Sequence, residues 1–134
     1  MATNEVYSVG ARLSLPVPTG TKSGAPVRIG KLNAVVQTDE GSQTATVNAG
    51  PVSLTVPSGG VGNAPGFASV KLDGVFNLPL TVTGTVAVGD QIYISSTNTL
   101  SNVATSNSLF GIALRAVGTA GAGTVFVKLI NNGQ

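Results

Sequence analysis

Two adjacent carboxylates, Asp39 and Glu40, are residues whose types could do chemistry as a pair. A glycosidase needs two carboxyl groups that face each other about 5 to 10 Å apart across a sugar ring. Neighbouring side chains on a strand point to opposite faces, and the sequence has no tryptophan on which a sugar could stack. With Gly41 directly after the pair, the pattern indicates a solvated turn.

Other candidate sites are also incomplete. Lys22 and Ser23 could form a serine–lysine dyad, but adjacency in sequence does not place one side chain on the other. Asp90 lacks the dense Asp and Asn oxygens of a calcium loop, so we expect it to cap a backbone amide at its turn. The absence of histidine and cysteine removes the commonest catalytic base and any thiolate site. We therefore predict a non-enzymatic protein without metal or cofactor.

Two glycine-rich stretches, residues 59–62 and 118–123, resemble phosphate-binding loops only in composition. Neither contains G-x-G-x-x-G between a strand and a helix, so we interpret both as loops that need positive φ. The seven basic residues are scattered and form no stripe along which phosphates could lie. We expect no direct contact with nucleic acid.

Short strands are the elements that must position any site. Alternating apolar and polar residues predict strands in residues 12–17, 25–30, 31–38, 44–48, 52–56 and 67–80, and residues 86–130 contain three further apolar runs. Pro16 and Pro18 confine the first strand to an edge or a strand end. The pattern predicts an all-β fold: a small antiparallel β-barrel or β-sandwich-like domain with an extended N-terminal arm and little helix.

The faces of these strands can also be predicted. In residues 44–48 and 52–56 the apolar side chains point one way and a Ser/Thr face points toward water. In residues 86–130 both faces carry apolar groups, with Phe110, Ile112 and Leu114 on one of them. We therefore expect these last strands to be covered on both sides and to form the buried core.

The length of 134 residues predicts one domain, residues 13–134, after an N-terminal arm of residues 1–12. Seven basic and five acidic residues are few for this size, which favours a surface that is buried in an assembly or particle. The sequence shows no signal peptide and no apolar run that could span a bilayer. We expect synthesis in a cytoplasm and no membrane partner.

Five ordered segments resemble a known family. They are residues 22–27 (KSGAPV) with Gly30 and residues 34–36 (AVV), then 74–79 (GVFNLP), 88–94 (VGDQIYI), 109–114 (LFGIAL) and 125–129 (VFVKL). Together they look like the capsid cement, or head decoration, proteins of tailed bacteriophages, over about residues 8 to 130. Residues 38–67 depart from that pattern and predict an inserted strand or hairpin followed by a glycine-rich loop.

The resemblance implies a structural protein on the outer surface of an expanded phage head. Its partner would be the major capsid protein, and it would stabilise the head by bridging neighbouring capsid subunits. Such proteins are commonly homotrimers at three-fold or pseudo-three-fold positions. An alternative from the β architecture and the Ser/Thr/Asn-rich loops is a glycan-binding or adhesion module on a phage tail or cell surface, against which the sparse aromatic residues weigh.

Contact with the capsid or with neighbouring subunits is expected in the arm and in the loops around Gly59 and Gly118. The arm, whose anchors are apolar or basic, is predicted to order on the capsid. Aromatic residues are enriched in interface cores, which favours the tyrosine of the arm. The predicted contact residues are Val6, Tyr7, Val9 and Arg12 in the arm, and Gly59, Val61, Asn63 and Phe67 in and after the first glycine-rich loop.

Overall fold

The computed structural model of the protein describes residues 11–42, 44–57 and 62–131, and these residues form strands and no helix. The all-β fold is confirmed. In the described ranges no helix is long and apolar enough to cross a lipid bilayer. The strands are β1 (Arg12–Pro16), β2 (Pro26–Ile29), β3 (Leu32–Val36), β4 (Thr44–Ala49), β5 (Val52–Pro57), β6 (Phe67–Lys71), β7 (Val75–Val82), β8 (Gln91–Ile94), β9 (Leu100–Ser101), β10 (Ser108–Ala113) and β11 (Gly121–Leu129).

Four strands form an antiparallel sheet in the order β1-β6-β3-β2. β2 and β3 are joined through Gly30, whose φ of 61° favours glycine, so the predicted strand pair is confirmed. β1 lies at one edge, as its prolines predicted. At the other edge, the backbone N–H of Arg28 in β2 donates to Oδ1 of Asn98 at 3.0 Å, which caps that edge with a loop.

The remaining long strands close into a barrel in the order β10-β11-β7-β9-β8, and the predicted small barrel is confirmed. Its pairs are antiparallel except β7–β9, where the two-residue strand Leu100–Ser101 pairs in parallel and completes the wall. A strand of two residues carries no readable alternation, so the sequence did not predict β9. The barrel core is formed by Leu78, Leu80, Val82, Ile92, Ile94, Leu100, Phe110, Ala113, Val125, Val127 and Leu129.

A β-bulge in β10 changes which residues of that strand face the core. Leu109 and Gly111 pair with successive residues of β8, so Phe110 is the extra residue between them. Phe110 and Ala113 are both fully buried, whereas Ile112 is only partly buried. The prediction that placed Phe110 and Ile112 on one face is therefore wrong, because strict alternation does not continue through an inserted residue.

The outer surface of the barrel is exposed. Leu114 and Phe126 are 42% and 41% exposed, although both belong to the apolar runs of residues 86–130. The prediction that these strands are covered on both sides is wrong, because no described element covers the side of the barrel that carries Leu114 and Phe126. The barrel therefore presents apolar side chains to its surroundings.

Strand β3 joins the sheet to the barrel. Val35 packs in the barrel core, whereas its neighbours on both sides pack in a second core within the sheet. Asn33 is only 3% exposed, and its Nδ2 donates to the carbonyls of Leu109 at 2.9 Å and Ile130 at 2.8 Å. Its backbone N–H donates to Oδ1 of Asn131 at 2.6 Å. Buried polar groups with satisfied hydrogen bonds fix one arrangement of the two layers.

Strands β4 and β5 form a separate antiparallel hairpin between β3 and β6. Every residue of the two strands is exposed, including Val47 at 48%, Val52 at 52% and Leu54 at 52%. The sequence predicted that only the polar face would meet water, and this is wrong. Because all of their side chains are exposed, no described residue covers the apolar face.

Candidate functional site

The adjacent carboxylates Asp39 and Glu40 stabilise two different loops. Oδ1 of Asp39 accepts the backbone N–H of Ser23 at 2.9 Å, and its Oδ2 lies 3.3 Å from Nζ of Lys22. The Ser23 hydrogen bond and then the Lys22 ammonium hold the pKa of the Asp39 carboxyl below its ordinary value. Asp39 therefore fixes the loop between β1 and β2.

Glu40 is fully buried at 0% exposure, so the predicted solvated turn is wrong for this residue. Its carboxylate accepts the backbone N–H of Ser42 at 2.9 Å, the hydroxyl of Ser42 at 2.5 Å and the backbone N–H of Gly66. In sequence, Ser42 and Gly66 lie on either side of the β4–β5 hairpin. Because hydrogen bonds compensate its desolvation, this carboxylate can tie the two ends of the hairpin segment together.

The other chemical candidates also have structural partners. The hydroxyl of Ser23 donates to the carbonyl of Gln37 at 2.8 Å, so it is not directed at Lys22. Asp90 accepts the backbone N–H of Ala87 at 2.8 Å, which confirms the predicted cap. Across the described ranges no cluster of three or more His, Cys, Asp or Glu side chains could hold a metal ion.

Two of the surface depressions each contain a single ionisable side chain. One of about 540 Å³ lies between residues 18–27 and 96–98, and Lys22 is its only ionisable lining residue. That ammonium lies against Asp39, which anchors it to the loop. A second depression, of about 440 Å³, follows β1 and has Arg12 as its only ionisable lining residue. Neither arrangement pairs a nucleophile with a base.

Three predicted contact residues, Arg12, Asn63 and Phe67, come together at the β1–β6 pair. Cross-strand partners share a face of a sheet, so the register places Arg12 beside Lys71 and Pro16 beside Phe67 on the same face. Arg12 is exposed and Phe67 is 37% exposed. We call this surface the β1–β6 face; it consists of Arg12, Ser14, Pro16, Phe67, Ser69 and Lys71.

One end of the β1–β6 face is basic. Arg12 and Lys71 lie directly opposite each other, and like charges in this position destabilise a strand pair. Neither side chain forms a salt bridge with a carboxylate of the described residues, and the Lys71 ammonium lies 5.9 Å from the centre of the Phe76 ring. Lys71 was not among the predicted contact residues, although its even spacing from Phe67 places both residues on one face of a strand.

Asn63 lies in the loop before β6 and contacts both strands of the β1–β6 pair. It is half-buried, and its Oδ1 accepts the hydroxyl of Ser14 at 2.6 Å. Its Nδ2 donates to the hydroxyls of Thr38 at 3.1 Å and Ser69 at 3.2 Å. These bonds fix the loop before β6 against β1 and so support the β1–β6 face.

The other predicted contact residues are Val6, Tyr7, Val9, Gly59 and Val61, and they lie outside the described residues. In sequence, however, both segments lead into the β1–β6 face. The first three precede Arg12 directly, and the last two precede Asn63 and Phe67.

The described part of the chain is thus an all-β fold in which Asp39, Glu40 and Asp90 stabilise loops. Residues 7–129 match the phage cement protein family, and the chain belongs to that family. Membership implies that the protein binds the phage capsid and resides on the virion capsid, in a structural role. Neither the search of curated proteins nor the search of solved structures finds a match for this chain.

Proposed function

We propose that this protein is a non-enzymatic cement that binds the outer surface of an expanded phage head and bridges neighbouring subunits of the major capsid protein. The family match over residues 7–129 is the observation that carries this proposal. The carboxylates Asp39, Glu40 and Asp90 hold backbone N–H groups of loops, which is a structural use of these side chains. A protein of this kind acts through surface complementarity and needs no catalytic base.

The proposed capsid contact is the β1–β6 face together with the two segments that lead into it. Phe67 offers an exposed ring at one end of the face, while Arg12 and Lys71 offer two positive charges at the other end. Aromatic and arginine side chains are the commonest anchors of protein interfaces. Val6, Tyr7, Val9, Gly59 and Val61 would extend this surface from the ends of β1 and β6.

A trimer at a three-fold or pseudo-three-fold position would strengthen the attachment of the protein to the capsid. Each copy would contribute one modest contact, and a closed ring holds the remaining contacts at high effective concentration once the first has formed. Neighbouring capsid subunits that are joined in this way resist separation under the internal pressure of packaged DNA. The head would therefore release its DNA at a higher temperature.

The test uses heads that are expanded and contain DNA but lack cement protein. The purified chain is added, bound protein is measured after the heads are sedimented, and DNA release is followed during heating. We expect saturable binding and an increase in the release temperature. A chain that lacks residues 3–11, which leaves Arg12 and β1 in place, should bind at least about tenfold more weakly. Absence of binding by the complete chain would exclude the proposed function.

A further inference from the structure

A small polar depression lies where two loops of the barrel, residues 95–99 and 102–107, meet the β2 edge of the sheet. Its volume is about 270 Å³, and it is separate from the β1–β6 face, since β1 lies at the other edge of the sheet. Apart from Gly30 and Ile94, every described residue that lines it has a polar side chain: Arg28, Ser95, Ser96, Asn98, Ser106 and Ser108. We call it the serine depression.

Arg28 gives the serine depression its charge. It is half-buried, and its Nη1 donates to Oδ1 of Asn33 at 2.7 Å and to the carbonyl of Leu109 at 3.2 Å. Leu109 directly follows Ser108 in β10, so the guanidinium is held close to that serine. The described residues that line the depression include no carboxylate. A positive charge that is partly shielded from solvent attracts anions strongly, and a guanidinium matches the geometry of an oxyanion.

Three hydroxyls of the serine depression lack a partner within the described chain. They belong to Ser96, Ser106 and Ser108. The fourth hydroxyl has a structural use, because Oγ of Ser95 accepts the backbone N–H of Thr97 at 3.2 Å and holds its loop. A serine hydroxyl can donate one hydrogen bond, and such a bond is stronger when the acceptor is ionised. The depression therefore combines a positive charge with three donors suited to a small oxyanion.

Backbone strain is concentrated in the same depression. Asn98 and Ser106 have φ of 59° and 62°, and in the described ranges they are the two residues other than glycine with positive φ. Asparagine tolerates this conformation, and Asn98 is also fixed by the backbone N–H of Arg28, which donates to its Oδ1 at 3.0 Å. Ser106 has no comparable side-chain bond to a described residue, and glycine would adopt its φ more easily. A strained residue of this kind indicates a functional constraint.

We propose that the serine depression binds a small tetrahedral oxyanion such as phosphate. The anion lies between Arg28 and the hydroxyls of Ser96, Ser106 and Ser108. At about 30 Å³ for each water molecule, the volume leaves room for the anion and for several waters that hydrate it. The site also explains why serine occupies position 106, since glycine would relieve the strain but could not donate a hydrogen bond. This binding does not depend on the proposed capsid contact.

The test uses nuclear magnetic resonance of the free protein at neutral pH. Sodium phosphate is the probe, sodium chloride of equal ionic strength is the reference, and backbone amide shifts are followed. Ser106→Gly removes a hydroxyl and relieves the positive φ, so the fold is kept. Arg28→Gln removes the charge. Thr105→Ala is the matched control, because Thr105 is exposed on the same turn and does not line the depression. Thermal melting by circular dichroism checks the stability of each variant.

Phosphate should shift the amides of residues 95–98 and 106–108 saturably, with a dissociation constant on the order of 1 mM. Ser106→Gly should weaken binding about tenfold while its melting temperature stays at or above that of the wild type. Arg28→Gln should weaken binding further, and Thr105→Ala should bind as the wild type does. Equal shifts in phosphate and chloride overturn the proposal, as does wild-type affinity in Ser106→Gly. Acetate that binds more tightly than phosphate overturns the assignment to a tetrahedral oxyanion.

Discussion

At the scale of single residues, Glu40 is the residue whose environment in the structure differs most from the one that its side chain and neighbours indicate. A carboxylate beside an aspartate and a glycine indicates solvent exposure, yet this one is completely buried. Backbone N–H groups that would otherwise lack partners compensate for its desolvation. The sequence could not predict this burial, because Gly66 lies far along the chain and only the closed base of the hairpin brings it to Glu40.

Replacing Glu40 with Gln should lower the free energy of unfolding by about 2 to 4 kcal/mol, because an amide cannot accept all of these bonds with the strength of a carboxylate. The measurement is urea denaturation at neutral pH. Asp73→Asn is the matched control, because Asp73 is exposed. Equal unfolding free energies for the two variants would show that the buried carboxylate does not stabilise the base of the hairpin.

Asp39 gives a prediction about pH. Its pKa is lowered in the folded protein from an ordinary value of 3.8, by Ser23 first and then by Lys22. The unfolded chain therefore binds a proton more readily, and the stabilisation is present above pH 3.8 and is lost as the pH falls through the lower folded value. Asp39→Asn should lower the melting temperature slightly at pH 7, and the difference from wild type should disappear in acid. A difference that stays constant from pH 7 to about pH 2 would contradict this account.

At the scale of elements, alternation predicted those strands that have one apolar face and at least four residues. β1, β2 and β3 were found in this way, β8, β10 and β11 were found from their apolar runs, and the turn at Gly30 was predicted from its glycine. Two elements depend on long-range pairing and carry no local signal: the parallel strand β9, and the bulge at Phe110. A single inserted residue reverses the faces of a strand, and only the partner strand reveals it.

The bulge depends on Gly111. A Cβ atom there would lie 2.3 Å from the carbonyl oxygen of Lys128, which is backbone of the adjacent strand β11 and cannot move aside. Gly111→Ala should therefore separate β10 from β11 and destabilise the protein by about 3 kcal/mol or more. Gly118→Ala is the matched control, because its added Cβ has no atom within 4 Å.

Thermal unfolding of the two glycine variants, followed by circular dichroism, provides the measurement. Gly118→Ala should melt within about 2 °C of the wild type, whereas Gly111→Ala should melt at least about 8 °C lower. Similar melting temperatures for both variants would mean that the barrel adjusts at the bulge, and the close approach of β10 and β11 would not be required.

At the scale of the whole molecule, the barrel supports the face that we propose binds the capsid. Val35 packs in the barrel core and pairs with Lys71 across β3 and β6, so the β1–β6 face continues the side of the sheet that rests on the barrel. Arg12 and Phe67 could be proposed from sequence because of their types. Their assembly with Lys71 could not, since the register of β1 and β6 joins residues that are far apart in the chain.

This geometry leads to a prediction about the capsid contact. Arg12 and Lys71 place two positive charges side by side without a described carboxylate, so binding a negatively charged patch on the head would relieve their repulsion. Binding should therefore weaken as salt rises, and Arg12→Glu should reduce affinity by about 10- to 100-fold, mostly by slowing association. The measurement is binding to undecorated heads from about 50 to 500 mM salt.

Lys31→Glu is the control, because it makes the same change of charge at an exposed turn between β2 and β3. If both variants lose affinity equally, net charge governs attachment and the β1–β6 face is not the contact. The position of Arg12 on the β1–β6 face predicts the other result: only Arg12→Glu loses affinity, and its binding depends less on salt.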